Sequence, residues 1–431
     1  MYESYENARK MAQTLFGSIN AEKVQKALRP KPECIPKLAA ADPMNTLEKA
    51  KQRLVAAGLN ADGVGTLLDE STREDFGLYA ESVENLSGTI RIPLGVAGPL
   101  QVNGIHAQGL YWIPLATHEA TLVASYHRGI LALNGSGGCS VLFLNEAMGR
   151  APVFTFANLG EVAAFMSWAL MQRETFNELV ASTTAHGTLD DIRFTVEGNN
   201  VYVLFEMLTQ DAAGQNMVTK AAESVCKYIA EHSPVKPVGW IVESNLSGDK
   251  KASNRSFLGV RGRKVTAEAE ISAEMLKRVL RTDSEALVTS WRTMMLGGTM
   301  SGAIGAQGHY ANGLAALYLA TGQDVACVAE SAVGVTRLEQ RENGNMYCSA
   351  TLPNLVVGTV GGGTGLPTQQ ACLELMGLAG TGHARALAEV CAGVALAGEL
   401  SIIAAIASGE FARSHELLGR LRKRKSRAKK N

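Results

Sequence analysis

One stretch constrains the fold of this chain more than any other: Gly297–Asp324, which reads GGTMSGAIGAQGHYANGLAALYLATGQD. Between Thr299 and Thr321 it lacks proline and consists mostly of small or apolar residues. This pattern predicts a single helix about 35 Å long. Glycine weakens a helix by up to about 1 kcal/mol relative to alanine, and the stretch contains Gly302, Gly305, Gly308 and Gly313. We therefore expect a long central helix against which neighbouring segments pack closely.

Polar side chains interrupt this apolar stretch. Gln307, His309 and Asn312 lie inside it, and His309 and Asn312 are three residues apart, on one face of a helix. Asp324 is its single carboxylate and follows Gly322, a typical helix-ending residue. Buried polar groups need partners, so other polar segments are expected to meet this one in the core.

Composition narrows the classes of function. The 431 residues carry equal numbers of basic and acidic side chains, so net charge favours neither nucleic acid nor a membrane as partner. The seven cysteines are scattered and form no CxxC pair, which is typical of a reducing compartment and predicts no metal site. The start is polar, and the longest apolar run, 390–408, is interrupted by Glu399. We expect a cytoplasmic protein with no membrane span.

The order of patterns predicts an α+β fold. Residues 1–80 are expected to form a helical region, and 81–151 with 243–415 a large mixed domain built around the central helix. Within the large domain, Ile90 and Ile92 predict a strand, after which Gly95 and Gly98 predict turns. Residues 416–431 form a basic tail, most simply a solvated terminus.

Residues 152–242 predict a small inserted domain. A short strand at VFTFA precedes Asn158 and Glu161, a capping-box pair, and then a helix through Leu179. Alternation at 192–196 and 201–205 predicts a hairpin, a second helix follows, and 235–242 predicts an edge strand. The order βαββαβ is the ferredoxin-like arrangement.

Several short segments are candidates for chemistry, and each has a plain structural alternative. DAAGQN, 211–216, precedes the second helix and is either an anion site or an ordinary aspartate cap. Glu119 is either an active carboxylate or a surface residue at a helix start, where the dipole favours it. The triplet at 249–251 and His415 would each more often be solvated surface. The glycines at 361–365 allow close backbone approach to a phosphate or nicotinamide but do not match the Rossmann fingerprint.

Taken together, these segments resemble the 3-hydroxy-3-methylglutaryl-CoA reductase family. Six segments occur in the family's order between about residues 80 and 415: ENLSG…PLGVAGPL, ATHEATLVAS, DAAGQN, SGDKK, GHYANG…ATGQD and GTVGGGTG…QQACLELMG. The DKK segment is similar to the biosynthetic class. The resemblance implies reduction of hydroxymethylglutaryl-CoA to mevalonate and CoA by two hydride transfers from NADPH.

The resemblance also implies roles for individual residues. The catalytic glutamate, lysine, aspartate and histidine fall on Glu119, Lys250, Asp324 and His415. Substrate and CoA contacts fall on Ser125, Arg128, Arg150, Asn245, Asp249, Lys251, Arg292 and Asn312. Cofactor contacts fall on Asp211, Gly214, Asn216, Gly361, Gly362, Gly363 and Thr364. Family members place the active site across a subunit interface, so a homodimer or higher homo-oligomer is implied.

The chain departs from the family pattern at several positions. Ala213 and Gln215 replace the usual methionines of DAAGQN, His118 and Ala120 flank Glu119 in place of threonine and glycine, and Arg292 replaces a lysine. Ala185 stands where members that use NADPH carry an arginine, and Asp190 and Asp191 nearby would repel a ribose phosphate. We therefore expect a reduced preference for NADPH, with NADH as a possible cofactor. The departures leave open a divergent paralogue that binds or reduces a different acyl-CoA.

Overall fold

The computed structural model describes residues 4–16, 21–31 and 44–409. His415 and the basic tail lie outside the described residues. The chain divides into two compact units, Met1–Gly88 and Thr89–Asn431. The boundaries expected inside the second unit, at 151/152 and 242/243, stay predictions.

The first unit is helical, as expected. Its helices are α1 (Tyr5–Phe16), α2 (Ala21–Leu28), α3 (Leu47–Ala56), α4 (Ala61–Leu67), α5 (Glu70–Glu74) and α6 (Phe76–Ala80). Three of them begin at a side chain that accepts a hydrogen bond from a backbone N–H of the first turn: Thr46, Asn60 and Asp69. A small apolar core, which includes Ala50, Val64 and Phe76, joins α3, α4 and α6.

The second unit is organised by a ten-stranded sheet. Its strands are β1 (Leu94–Gly104), β2 (Gln108–Ala116), β3 (Cys139–Arg150), β4 (Val153–Thr155), β5 (Thr188–Glu197), β6 (Asn200–Leu208), β7 (Gly239–Ile241), β8 (Gly262–Ile271), β9 (Val335–Gln340) and β10 (Met346–Leu355). The continuous order is β7-β4-β6-β3-β8-β10-β9. The long strand β3 joins its two halves: it pairs with β1 at its start, with β8 along its middle and with β6 at its end.

The helices of the second unit are α7 (Leu122–Asn134), α8 (Leu159–Ala169), α9 (Arg173–Thr183), α10 (Gln215–His232), α11 (Arg255–Leu258), α12 (Ala273–Met275), α13 (Ser284–Ser301), α14 (Tyr310–Thr321), α15 (Val328–Ser331), α16 (Pro367–Leu375) and α17 (Ala384–Ala407). A π-helical turn at Leu276–Leu280 and 3₁₀ turns at Val325–Cys327 and Gly362–Gly365 complete the set.

The ferredoxin-like arrangement is present between β4 and β7. Its elements follow the order β4, α8 and α9, β5, β6, α10 and β7, and its strands lie in the sheet as β7-β4-β6-β5, each pair antiparallel. Asn158 caps α8 by accepting from the Glu161 N–H at 3.0 Å, as the capping-box pattern predicts. The α+β class is thus confirmed. The prediction of one helix between β4 and β5 was wrong, because the chain breaks at 170–172 and forms α8 and α9 instead. The last strand, β7, is shorter than the predicted 235–242.

The central helix of the second unit is α17. Almost all of its residues are buried, and the apolar core packs around it. Among the described residues, α17 is the one helix whose length and composition would allow it to cross a membrane. However, 83% of its most apolar window is buried inside the protein. A buried core helix passes the same test of composition.

Two local predictions were wrong. The stretch 299–321 is not one helix: α13 ends at Gly302, which has a left-handed φ of 76°, and α14 begins only at Tyr310. The glycines that would weaken a continuous helix thus end it. The first strand begins at Leu94 rather than at Ile90, and Gly95 and Gly98 lie within this strand, which is irregular between Ala97 and Leu100.

Candidate active site

Lys250 and Asp324 meet in an ion pair. The Lys250 Nζ lies 2.9 Å from the Asp324 Oδ2, and the two side chains are 45% and 37% exposed. Lys250 belongs to the loop after β7 and has a left-handed φ of 55°. Asp324 follows the end of α14 at Gly322, and its Oδ1 accepts from the Ala326 N–H at 3.0 Å. The pair joins two segments that the sequence places 74 residues apart (324 − 250).

Both members of this pair are held in their charged forms. Burial alone would raise the pKa of Asp324, but the hydrogen bond and charge of Lys250, with smaller contributions from the Ala326 N–H and the Gln215 amide, bring it below its ordinary value. The hydrogen bond to Asp324 raises the pKa of Lys250 against the opposing effect of burial. An ammonium group therefore stands at the surface of this site at neutral pH.

A buried charge cluster lies directly behind the pair. Asp249 accepts from Arg150 at 3.0 Å and from Arg261 at 2.6 Å, and Arg261 also binds Glu330 at 2.7 Å. Arg150 in addition binds Glu243 at 2.9 Å. Because Arg261 donates to both Asp249 and Glu330, it offsets part of the negative charge of the three carboxylates in this cluster.

Gln215 links the cluster to the pair. Its Nε2 lies 3.0 Å from the Asp324 Oδ2, and its Oε1 accepts from the Arg261 Nη2 at 3.3 Å. Gln215 is the first residue of α10, so the start of that helix lies at the ion pair.

The two predicted cofactor segments lie side by side. The Thr359 N–H donates to the Asp211 carbonyl at 2.8 Å, and Ala212 forms a parallel bridge with Val360. Gly361 and Gly362 have left-handed φ values of 77° and 57°, and no atom lies within 4 Å of the position where a Cβ would stand. The backbone there is open on its side-chain face.

Asp211 has a structural role that neither sequence alternative described. Its carboxylate accepts from the Gly382 N–H at 2.9 Å and the Ala384 N–H at 3.1 Å. It therefore caps the start of α17 rather than its own helix, and it ties the DAAGQN segment to the central helix. Gly214 is the N-cap residue that precedes α10; it has a φ of 81°, and an added Cβ would stand 2.2 Å from the Thr209 side chain.

The predicted CoA contacts, Ser125 and Arg128, share a face of α7, as their spacing implies. Both bind Ser401 on α17: the Ser125 hydroxyl at 2.9 Å, and the Arg128 guanidinium at 3.1 Å from the Ser401 hydroxyl and 2.6 Å from its carbonyl. They form a second polar group between α7 and α17, distinct from the pair.

Four predicted residues are not joined to the pair in this chain. Glu119 is exposed, and its backbone N–H donates to the Thr117 hydroxyl. Arg292 is exposed on α13, Asn312 is partly buried on α14, and the Asn245 N–H donates to Glu243. Among the described residues, none of the four forms a hydrogen bond or ion pair with Lys250 or Asp324.

The segment around Ala185 lies beside the start of α10. A Cβ at Gly187 would stand 2.7 Å from the Met217 sulfur, so the turn packs on the helix that Gln215 begins. Ala185 is exposed. Asp191 lies 3.8 Å from Arg173 and 3.5 Å from Arg193, so its charge is largely offset, and the repulsion expected from it is weaker than the sequence implied.

Sequence reasoning missed Arg261, Glu330 and the contacts of Gln215. Arg261 is 2% exposed in its side chain and Glu330 is 1% exposed. A signal for Arg261 existed: it and Arg263 flank Gly262, the first residue of the alternating strand β8, where a buried charged side chain requires a partner. Nothing local marked Glu330 as that partner.

The family model described as hydroxymethylglutaryl-coenzyme A reductase matches residues 49–420 of this chain. The chain belongs to this family. The match begins before residue 80, so α3 to α6 belong to the family region that the motifs alone had not included.

Curated relatives are similar in sequence to this chain along most of their length. The chain is 42% identical over 354 residues to a 3-hydroxy-3-methylglutaryl-coenzyme A reductase of Pyrococcus abyssi, covering 80% of this chain and 86% of the relative. It is 41% identical over 376 residues to the enzyme of that name from Aeropyrum pernix, covering 86% and 87%. For the enzyme from Haloferax volcanii the figures are 39% over 388 residues, covering 87% and 93%.

A solved structure shows the same fold. The class II 3-hydroxy-3-methylglutaryl-CoA reductase from Streptococcus pneumoniae, bound to NADPH in open conformations, is 19% identical and matches with a TM-score of 0.62. The match covers 84% of this chain and 97% of that one.

Proposed function

We propose that this chain reduces 3-hydroxy-3-methylglutaryl-CoA to mevalonate and CoA, with NADPH as the reductant. The single observation that carries the proposal is the Lys250–Asp324 pair, held by Gln215 against the helix that follows the DAAGQN segment. Membership of the family and the names of the curated relatives support the substrate. The product would place the enzyme in the mevalonate route to isoprenoids.

The residues present fit a dinucleotide. Gly361 and Gly362 leave an open backbone face, and the start of α10 offers N–H groups beside it. The two proposed cofactor segments also include Asp211, Gly214, Asn216, Gly363 and Thr364. Converting a thioester to a primary alcohol takes four electrons, which two NADPH molecules bound in turn would supply as one hydride each.

Lys250 has the central chemical role in this proposal. Each reduction step places negative charge on a carbonyl oxygen, first in the hemithioacetal and then in the alcohol. A positioned ammonium stabilises that oxygen, and Asp324 keeps the ammonium charged and aimed. Because Asp324 itself is held ionised, it orients Lys250 and does not donate the proton.

Protons come from two further residues in the proposal. Glu119 donates to the reduced carbonyl oxygen, and His415 protonates the thiolate of CoA as the hemithioacetal collapses to the aldehyde. Glu119 and Arg292 are both exposed, and among the described residues neither forms a hydrogen bond or ion pair with Lys250 or Asp324. This supports a homodimer or higher homo-oligomer in which a second copy completes the site.

The substrate contacts follow the charges of the site. We assign binding of the hydroxymethylglutaryl group to Arg150, Asn245, Asp249, Lys251, Arg292 and Asn312, and binding of the CoA to Ser125 and Arg128. A cytoplasmic location is part of the proposal, supported by the scattered spacing of the cysteines, which is typical of a reducing compartment.

Stoichiometry tests the proposal. Purified protein is given hydroxymethylglutaryl-CoA and NADPH, and both thiol release and NADPH oxidation are followed. Two NADPH oxidised for each CoA released, with mevalonate as product, is the expected result. No turnover on this substrate but turnover on another acyl-CoA would replace the proposal with the divergent paralogue.

A further inference from the structure

Gln215 occupies a position that few side chains could fill. It lies between a carboxylate and a guanidinium: Asp324 at 3.0 Å from its Nε2 and Arg261 at 3.3 Å from its Oε1. Its Nε2 also lies 3.0 Å from the Cys327 sulfur. A carboxylate only accepts hydrogen bonds and a guanidinium only donates them, whereas a primary amide does both. The chemistry of its neighbours therefore fixes which way the amide points.

The contacts on Asp324 show what the amide adds. The Oδ1 is held by the backbone N–H of Ala326, two residues along the chain. The Oδ2 receives both the Lys250 ammonium and the Gln215 amide. Since Lys250 is long and nearly half exposed, it cannot by itself fix the rotation of the carboxylate against competing water.

We propose that Gln215 is a positioning residue for the reduction: it fixes the Asp324 carboxylate against Lys250 and couples this pair to the cofactor segment at the start of α10. The inference rests on the function proposed above, which makes Lys250 the group that stabilises the developing oxyanion. A continuous chain of polar contacts then runs from Glu243 through Arg150, Asp249, Arg261 and Gln215 to the pair.

The groups around Asp324 allow its titration to be used as the measurement. From the loop after β7 it faces Lys250, whose pKa is raised by the hydrogen bond to Asp324. The charge of Asp249, the preceding residue, raises the pKa of Lys250 in the same direction. From its own segment it faces Cys327, whose thiol stays neutral because burial raises its pKa far above the ordinary value. From α10 it faces only the neutral amide, behind which lie Arg261 and, bound to it, Glu330. Replacing that amide therefore changes one side-chain hydrogen bond to Asp324, together with the contacts of Gln215 with Arg261 and Cys327.

Two substitutions separate the possibilities. Gln215→Met keeps an unbranched side chain of similar length but removes donor and acceptor, and it should raise the pKa of Asp324, because the charged carboxylate loses one hydrogen bond. Gln215→Glu places a second carboxylate against Asp324, and because two carboxylates at that distance resist ionising together, it should raise the pKa further. The acid limb of kcat/KM should therefore move upward in the order wild type, Met, Glu.

Gln370 provides the matched control. Its Nε2 also donates to a carboxylate, that of Glu374, at 3.1 Å on the exposed face of α16. Gln370→Met and Gln370→Glu should leave the pH profile of kcat/KM unchanged. An acid limb at the same pH in wild type and both Gln215 variants would overturn the inference.

A second measurement does not depend on turnover. The ¹³C shift of the Asp324 carboxyl, assigned by its loss in Asp324→Asn, can be titrated in the wild type and in each Gln215 variant, with melting temperatures confirming that each is folded. The Asp324 pKa should rise from wild type to Met to Glu, and an unchanged titration would refute the positioning role. If the wild type has no reductase activity but the titration shifts, the proposed function fails while the contact of Gln215 with Asp324 stands.

Discussion

Replacing Lys250 by methionine should separate its contribution to catalysis from its contribution to stability. Its ion pair with Asp324 is exposed at both ends, 45% and 37%, and such pairs stabilise a fold by about 0–1 kcal/mol. The left-handed φ of 55° costs a non-glycine residue about 1–2 kcal/mol, but methionine bears the same strain. Lys250→Met should therefore change the free energy of unfolding by less than about 1 kcal/mol.

The expected loss of activity is much larger. Removing one preorganised group that stabilises a developing oxyanion typically costs about 3–4 kcal/mol of transition-state stabilisation, or about 10²- to 10³-fold in kcat. Lys250→Gly should be equally inactive. Its free energy of unfolding should fall below that of Lys250→Met only by the entropy that an added glycine gives the unfolded chain, because glycine accepts the left-handed φ without strain.

Urea unfolding and steady-state kinetics on hydroxymethylglutaryl-CoA measure the two effects. Lys227→Met is the matched control, since Lys227 lies 2.8 Å from Glu223 in an exposed pair on α10. It should show the same small change in stability and no loss of kcat. A Lys250→Met enzyme that keeps kcat within about tenfold of wild type, a difference of 1.4 kcal/mol, would refute the assigned role.

Three further substitutions test other parts of the structure. Arg261→Met should lower the free energy of unfolding at neutral pH by about 3–5 kcal/mol, because it leaves the Glu330 carboxylate buried without its positively charged partner. Burial already raises the pKa of Glu330, and losing Arg261 raises it further; since protonation then removes the buried charge, the deficit should shrink as pH falls through that pKa, and a deficit independent of pH would contradict this account. Gly322→Ala should destabilise more than Gly377→Ala in thermal melts, because the two glycines have φ values of 70° and 69° but only at Gly322 would the new Cβ collide, 2.2 Å from the Gly363 carbonyl; equal losses would remove that contact from the argument. Ala185→Arg should raise the ratio of kcat/KM for NADPH over NADH more than about tenfold, or 1.4 kcal/mol, whereas Ala181→Arg on the exposed face of α9 should not; a wild type that already prefers NADPH more than about 100-fold would refute the reduced preference.

The ferredoxin-like part could be predicted from the sequence because its signals are local. The strand β5 alternates apolar and polar residues from Ile192 to Glu197, and Asn158 caps α8 through a contact three residues away. Such contacts depend on chain neighbours, and chain neighbours are what a sequence displays. The strand order also followed, because βαββαβ elements pack in few ways.

The buried charge cluster could not be predicted in the same way. Arg261 meets Glu330 across 69 positions and Asp249 across 12, and neither distance corresponds to a helical or strand period. Resemblance to the family supplied Lys250, Asp249 and Asp324 because they lie in motifs, whereas Gln215 was noticed only as a departure. Its place between Asp324 and Arg261 depends on three segments that meet only in the folded chain.

The break in the Gly297–Asp324 stretch has a physical cause that also fixes Asp324. Glu399, buried on α17, accepts from the N–H groups of Gly308 and His309 at 2.7 and 2.8 Å. A carboxylate is favoured at the positive end of a helix, which places the start of α14 here. In one long helix these two N–H groups would instead bond carbonyls of the preceding turn and could not bind Glu399. At its other end, Gly322 packs so closely on Gly363 that no side chain fits between them. The helix α14 is thus held at its start by the central helix and at its end by the proposed cofactor segment. Asp324 follows Gly322 by two residues, so the break before α14 and the glycine after it together set the position of the proposed catalytic carboxylate.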